Sequence, residues 1–218
     1  DAIHLDQERL IMLRPDLLIL NTANVAISRR LAERGIRVIS PRMETIDEVY
    51  EVIDLLGREL NAPQEAERLA RNLRADIDAV AAKWNTDNRK IDVMVTFPDL
   101  KGGNSVNVIG RETFVHELIE LVGGRNVVQT TGYPQMAMER AAHLNPDVII
   151  ISVPGDMGIE RSDEHYLAAW QRWQSVSAVR NGRVHVLREN HLTLPGPRMA
   201  EAAKLLAEAI HGPAADAA

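Results

Sequence analysis

The sequence predicts an α/β protein of two Rossmann-like lobes joined by a long α-helix. A thirteen-residue pattern at 8–20 returns at 139–151, and both copies read E-R-x-x-x-L-x-P-D followed by an aliphatic run. Apolar residues recur at offsets of three and four over 64–84, which indicates one long amphipathic helix. On either side of that helix, short aliphatic runs alternate with helical patterns, which is typical of parallel α/β sheets.

Each copy of the repeated pattern predicts a short helix, a turn and a strand. Proline disfavours helical geometry in the residue before it, so Pro15 and Pro146 mark the turns. The aliphatic residues that follow suit a strand buried on both faces, as in a parallel sheet covered by helices. Each copy then leads through a further helix to a second strand, at 36–40 in the first case and 183–187 in the second.

The segment between the two copies contains a helix start and a helix break. Thr45 and Glu48 form a T-x-x-E capping box, which opens a helix that runs to about Arg58. Asn61-Ala62-Pro63 then interrupts the helical pattern. The predicted division of the chain is an N-terminal lobe at 1–62, an inter-lobe helix at 63–85, a C-terminal lobe at 86–212 and a tail at 213–218.

The two lobes differ in their number of predicted strands. The second lobe has about four, because strands at 91–97 and 106–109 precede the repeated unit and the strand at 183–187. The first lobe has two before the long helix, and two parallel strands make a poor independent fold. We therefore expect the first lobe to be truncated at its N-terminus.

Composition excludes several classes of function. With 45% hydrophobic and 26% charged residues, the chain has the composition of a globular protein. Its net charge of −6, without a Lys/Arg stripe, gives no reason to expect a nucleic-acid partner. The absence of cysteine excludes thiolate chemistry. The sequence lacks G-x-S-x-G, P-loop and dinucleotide-binding glycine motifs, and His116-Glu117 lacks the second histidine of H-E-x-x-H, so we expect no enzyme, no catalytic residues and no metal site.

Four stretches together resemble a known family. They lie at 5–20, at 110–127 (GRETFVHELIELVGGRNV), at 133–151 and at 182–212, which contains GRVHVL and PGPR. In this order they are similar to the class III periplasmic substrate-binding proteins of ABC importers, which handle vitamin B12, haem and iron–siderophores. The helix at 64–84 stands where that family has its rigid inter-lobe helix. The strand–helix–strand segment that opens the family's first lobe is absent.

The resemblance implies a binding protein that captures a bulky metal chelate between its lobes and delivers it to a membrane permease. A corrinoid is the first choice, because 110–127 and 133–139 look most like the B12-binding members. An iron–siderophore or haem is the alternative within the same class, and a ligand-sensing domain of a signalling protein is the alternative outside it. The resemblance implies no resident cofactor and an extracytoplasmic location, periplasmic or lipid-anchored.

The resemblance also implies roles for individual residues. Glu8 and Glu139 match the two surface glutamates, one per lobe, that pair with permease arginines, although each also suits the positive end of a helix dipole. Tyr133 matches an aromatic that lies against the corrin ring, although packing against Pro134 would also explain it. His191 suits iron coordination, a hydrogen bond to ligand or a surface loop. The remaining expected ligand-contact residues are Asn21, Thr22, Arg42, Asp99, Arg111 and Asn190.

Overall fold

The protein has a mixed α/β fold. The computed structural model describes residues 7–20, 25–86, 89–98, 104–155 and 161–213. Contacts divide the chain into two compact units, Asp1–Met43 and Glu44–Ala218. Within the described ranges, none of the helices combines the length and apolar character that a bilayer crossing requires.

The smaller unit contains two helix–strand pairs in the predicted order. They are α1 (Gln7–Met12), β1 (Leu18–Ile19), α2 (Val25–Ala32) and β2 (Val38–Ile39). The two strands are parallel, with Leu18 opposite Val38 and Ile19 opposite Ile39. The expectation that β1 is buried on both faces is wrong, because Ile19 is 47% exposed.

The repeated sequence pattern is a repeat of backbone structure. Helix α6 (Met138–His143) has the same length as α1, and each of its ends lies 131 positions after the matching end of α1. Both copies then place the residue before proline in the left-handed region, with φ of 45° at Arg14 and 46° at Asn145. Strand β7 (Val148–Ser152) follows the second copy. The predicted helix, turn and strand are confirmed in both copies.

The larger unit is built on a mixed sheet. Its strands are β3 (Ile91–Phe97), β4 (Ser105–Val108), β5 (Gly124–Asn126), β6 (Gln135–Ala137), β7 and β8 (Val184–Leu187). The order is β6-β4-β3-β7-β8, and β5 pairs with the first half of β3. Strands β3, β5, β7 and β8 are parallel, so their carboxyl ends meet at one side, called here the carboxyl edge. Sequence patterns missed β5 and β6, because three residues are too few to show a period of two.

Helices cover both faces of this sheet. Successive residues of β3, such as Val93 and Met94, belong to two different buried clusters, because successive side chains of a strand point to opposite faces of the sheet. One cluster includes residues of α3 (Ile46–Glu59), α4 (Pro63–Trp84), α5 (Phe114–Leu121) and α9 (Met199–His211). The other includes residues of α6, α7 (Asp163–Gln171) and α8 (Ser177–Arg180). The two-sided cover explains why β7 is buried along its whole length.

Helix α4 is continuous over 22 residues, as predicted. Leu73 and Ile77 are buried, but Leu69 of the same predicted stripe is 40% exposed, so the buried face is narrower than the sequence pattern. The neighbours of α4 within the larger unit are α3 and α9. The predicted boundaries at 62 and 85, and the role of α4 as a link between lobes, stay predictions.

Candidate functional site

The amino ends of two helices meet at the carboxyl edge of the larger sheet. Helix α5 precedes β5, which is parallel to β3, so α5 begins at the carboxyl edge. The Glu117 carboxylate of α5 accepts a hydrogen bond from Ile46 N–H of α3 at 2.7 Å. The Phe114 N–H donates to the Glu44 carbonyl at 2.5 Å. These contacts hold the residues before α3 against the start of α5.

Side-chain caps order the two helix starts. Thr45 accepts from Glu48 N–H at 3.3 Å, and the Glu48 carboxylate accepts from Glu44 N–H at 2.8 Å. The predicted capping box is therefore present, with its return bond shifted one residue before the cap. Thr113 is fully buried; its hydroxyl oxygen accepts from His116 N–H at 3.2 Å, and its O–H donates to the Gly110 carbonyl at 2.9 Å.

The loop before α5 fixes the backbone of Arg111 and leaves its side chain at the surface. Gly110 N–H donates to the Gly132 carbonyl at 2.7 Å, and Arg111 N–H donates to the Thr130 carbonyl at 2.9 Å. Gly132 N–H returns a bond to the Arg111 carbonyl at 2.8 Å. Arg111 is exposed, so its guanidinium is available at the edge of the sheet. Glu112, the next residue, has a φ of 59°, which is unusual for a non-glycine residue.

Tyr133 comes directly after Gly132 and presents an aromatic surface. It is 45% exposed, and its ring lies 6.3 Å from the ring of Phe97, the last residue of β3, at an angle of 45°. Burial raises the pKa of the Tyr133 hydroxyl, and the negative charge of Glu44 and a hydrogen bond to its carboxylate raise that pKa further. Although the residue is partly exposed, its hydroxyl is therefore held as a neutral donor to Glu44.

Asn190 and His191 lie after β8, in a 3₁₀ turn at Asn190–Leu192. The Asn190 side-chain oxygen accepts from Gly155 N–H at 2.9 Å, which ties the end of β7 to the end of β8. His191 is not a surface-loop histidine, because its side chain is 14% exposed and its Nε2 lies 3.0 Å from the Glu201 carboxylate of α9. Its Nδ1 lies 3.8 Å from a Glu189 carboxylate oxygen.

Glu139 lies at the same edge. Strand β4 begins beyond Phe97, and Asn104, just before β4, donates its side-chain amide to the Glu139 carboxylate at 2.6 Å. Glu139 is exposed, and no cation of the described residues lies within ion-pair distance. Its own backbone N–H, then Asn104 and then the charge of Arg172, lower the pKa of this carboxyl. The carboxylate is therefore anionic and accessible.

The remaining predicted residues fall elsewhere. Arg42 is exposed in the smaller unit. Asn21, Thr22 and Asp99 lie outside the described residues, as does the side chain of Glu8, whose backbone belongs to α1. The structure thus brings Arg111 and Tyr133 together through Gly132, and places Asn190, His191 and Glu139 along the same edge.

Sequence reasoning missed Glu44, Phe97 and Asn104. Glu44 stands directly before the T-x-x-E box and Phe97 ends a predicted strand, so both positions were visible, but their contacts with Tyr133 were not. The Glu117 carboxylate is used at the start of α3, where it accepts from Ile46 N–H. In the described part of the chain, no group of three or more His, Asp or Glu side chains is placed to hold a metal ion.

The comparisons place the chain in a family. The sequence model of the periplasmic binding protein family matches residues 4–191, and the chain belongs to that family. An uncharacterized ABC transporter substrate-binding lipoprotein of Bacillus subtilis is 26% identical over 216 residues, which are 96% of this chain and 66% of the relative. A cobalamin-binding protein of Halobacterium salinarum is 29% identical over 211 residues, which are 94% of this chain and 55% of that protein.

Solved structures agree with the fold. A possible iron-binding (periplasmic solute-binding) protein of Staphylococcus epidermidis matches with a TM-score of 0.82 at 21% identity, covering 97% of this chain and 82% of that chain. At this identity the likeness shows the fold alone. The chain spans 55–66% of the length of the two curated relatives named above.

Proposed function

We propose that this chain is the ligand-binding part of an ABC importer's substrate-binding protein, and that it takes a bulky metal chelate with a corrinoid as first choice. The observation that carries the proposal is the aromatic surface of Tyr133, supported by Phe97 and anchored through Glu44 at the carboxyl edge. A preformed surface with few polar anchors suits a large rigid ligand, because little side-chain entropy is lost on binding.

The contacts of Tyr133 and His191 favour a corrinoid over haem. A haem iron needs an axial ligand, and a phenol must lose its proton to coordinate iron. Tyr133 has a raised pKa and donates to Glu44, so it offers its ring in preference to its oxygen. His191 has one ring nitrogen at the Glu201 carboxylate, and its other nitrogen is buried. Neither residue presents a ready axial ligand in this conformation.

An iron–siderophore is the second candidate, and the exposed guanidinium of Arg111 favours it. Ferric siderophores are commonly anionic, and an arginine on a fixed backbone is a suitable partner for an anionic chelate.

Ligand choice is tested by titrating the protein with cyanocobalamin, haemin and the anionic complex ferric enterobactin, followed by visible absorption and calorimetry. We expect saturable binding of cyanocobalamin. Tyr133→Ala should weaken it about tenfold, since an aromatic contact is worth about 0.5–1.5 kcal/mol beyond its buried area. Tyr133→Phe is the matched control and should retain affinity. Tight haemin binding that Tyr133→Phe abolishes would show iron coordination by the phenol and overturn the corrinoid proposal.

We also propose that Glu139 and Glu8 dock the protein on a membrane permease. Glu139 is exposed, ionised and positioned by Asn104, and a carboxylate of this kind orients a partner that carries arginines. Glu8 occupies the matching position of the repeated pattern.

The docking test uses the double variant Glu8→Lys, Glu139→Lys. The double variant should abolish uptake of cyanocobalamin by cells and leave the affinity of the protein for cyanocobalamin unchanged. Each single variant should lose a smaller part of the uptake. Glu51→Lys, an exposed reversal within α3, changes the net charge as much as each single variant does and is the control for those variants. Normal uptake by the double variant, or loss of ligand binding, would refute the docking role.

The proposed location is extracytoplasmic, either free in the periplasm or held by a lipid anchor as in the Bacillus relative. Release of the native protein from cells by osmotic shock, or its labelling by palmitate, would support this location. Recovery with the cytosolic fraction would contradict it.

A further inference from the structure

Asn104 lies beside the amino end of α6 because the sheet holds its backbone there. Ser105 of β4 pairs with Ala137 of β6, and Asn104 and Met138 come next along this antiparallel pair. The Met138 N–H, at the start of α6, donates to the Asn104 carbonyl at 3.0 Å. Ala137, which precedes α6, makes no side-chain cap bond. The backbone of Asn104 is therefore fixed next to a helix start that has no cap of its own.

The Asn104 side chain bridges a base and an acid. Its oxygen accepts from the Arg172 guanidinium, and its amide nitrogen donates to the Glu139 carboxylate at 2.6 Å. A guanidinium has only donors and an ionised carboxylate has only acceptors, so one orientation of the amide satisfies both neighbours. Hydrogen bonds in such a chain polarise one another, so each bond of the bridge strengthens the other.

Both charges of this bridge keep capacity for a partner. Arg172 is exposed, lies 5.2 Å from the centre of the Trp173 ring, and has no carboxylate within 4 Å among the described residues. Glu139 is exposed as well. A guanidinium has five N–H donors and a carboxylate accepts about four hydrogen bonds, and the bridge uses only part of these. The amide keeps the two charges apart, so they do not neutralise each other in a direct ion pair.

We propose that Glu139, Asn104 and Arg172 form one docking surface of mixed charge, and that the permease presents a basic side chain to Glu139 and a carboxylate beside it to Arg172. This inference rests on the proposed docking role of Glu139. Two charges of opposite sign fix the orientation of a partner, because a partner turned around would bring like charges together. Asn104 is the positioning residue, since its amide sets the separation of the two charges.

The bridge is tested first without any partner, by a ¹³C NMR titration of the Glu139 carboxyl. Asn104→Asp keeps the size of the side chain and an acceptor for Arg172, but it cannot donate to Glu139 when ionised. The pKa of Glu139 should therefore be higher in Asn104→Asp than in the parent. Asn181→Asp, the same change at an exposed residue before β8, is the control and should leave that pKa unchanged. An unchanged pKa of Glu139 in Asn104→Asp would overturn the positioning role.

The surface is tested next by the affinity of the whole protein for its permease reconstituted in nanodiscs, which needs no knowledge of the ligand. Arg172→Glu should weaken binding at least about tenfold, and Arg172→Met should weaken it less and reduce its dependence on salt. Arg180→Glu, the same reversal at an exposed arginine of α8, is the matched control and should bind as the parent does. Parent-like binding by Arg172→Glu would refute the inference.

A charge exchange separates the order of the charges from their sum. The double variant Glu139→Arg, Arg172→Glu has the net charge of the parent, but the acid and the base have changed places. It should bind the permease no better than Arg172→Glu does, and parent-like binding would overturn the inference. Loss of binding in Glu139→Lys with parent-like binding in Arg172→Glu would refute only the mixed-charge surface. Parent-like binding in Glu139→Lys would instead refute the docking role of Glu139 itself.

Discussion

Gly110→Ala should destabilise the larger unit strongly. A Cβ at this position would lie 1.7 Å from the Thr130 carbonyl oxygen and 2.9 Å from its carbon, and both atoms are backbone. The loop cannot move away freely, because Gly110 N–H is bonded to the Gly132 carbonyl at 2.7 Å. Overpacking costs about 1–3 kcal/mol, and loss of the Gly110–Gly132 and Arg111–Thr130 hydrogen bonds costs about 1 kcal/mol each, so we expect a loss of about 3–5 kcal/mol.

Two other glycines separate this steric effect from backbone strain. At Gly155 the nearest atom to an added Cβ is the Arg188 carbonyl oxygen at 3.9 Å, so alanine should change stability by at most about 0.5 kcal/mol. At Gly182 nothing lies within 4 Å, but φ is +65°, so alanine should cost about 1–2 kcal/mol through conformation alone. The expected order of destabilisation is Gly110, Gly182, Gly155.

Urea unfolding followed by circular dichroism measures the three free energies. The free energy of unfolding should fall with urea concentration at the same slope in all variants, because the surface exposed on unfolding is unchanged. A Gly110→Ala protein within about 1 kcal/mol of Gly155→Ala would refute the close approach between the 110–113 loop and Thr130. Because Arg111 is carried by this loop, the same result would also remove the basis for its fixed position at the carboxyl edge.

Two further predictions concern a helix cap and a histidine. Thr113→Ala should lower the free energy of unfolding in urea by about 2 kcal/mol, and Thr45→Ala should lower it by about 1 kcal/mol. The difference arises because the Thr113 hydroxyl is buried and makes two hydrogen bonds. Equal losses in the two variants would contradict this explanation. Burial and then the charge of Arg183 lower the pKa of His185. The pKa of His185 is therefore lower in the folded protein than in the unfolded chain, so the unfolded chain takes up this proton first as pH falls. The free energy of unfolding that His185 contributes is fully present above the pKa of the unfolded chain. It is lost as pH falls from that pKa towards the pKa in the folded protein. His185→Gln should flatten that loss between about pH 7 and 5, and an NMR titration of His185 at or above its ordinary pKa would refute the cause.

The parts of the fold that could be predicted depend on local sequence. The turn before each Pro-Asp, the Thr45 cap and the unbroken helix α4 all follow from residues within a few positions of one another. In each case a backbone preference and a hydrophobic period point to the same element, so no distant contact is needed to decide it.

The candidate site depends on contacts that local sequence does not show. Glu44 and Tyr133 are 89 positions apart, and their hydrogen bond follows from the meeting of α3, α5 and the loop after Gly110. The environment of His191 likewise depends on Glu201, which belongs to a different helix. Residue type suggested these positions, but only the packing of the helices decides whether a ring or a ring nitrogen is available to a ligand.

The two copies of the repeated pattern show which features follow from local sequence and which depend on distant contacts. Both give the same helix length and the same left-handed residue before proline, so the backbone follows the local pattern. Burial does not follow it, because β7 is buried throughout whereas Ile19 of β1 is 47% exposed. Burial depends on the strands and helices on either side, which differ between the units. The same reasoning applies to Glu139: the repeat places a carboxylate at a helix start, but the bond from Asn104, 35 positions away, holds it exposed and ionised at the carboxyl edge.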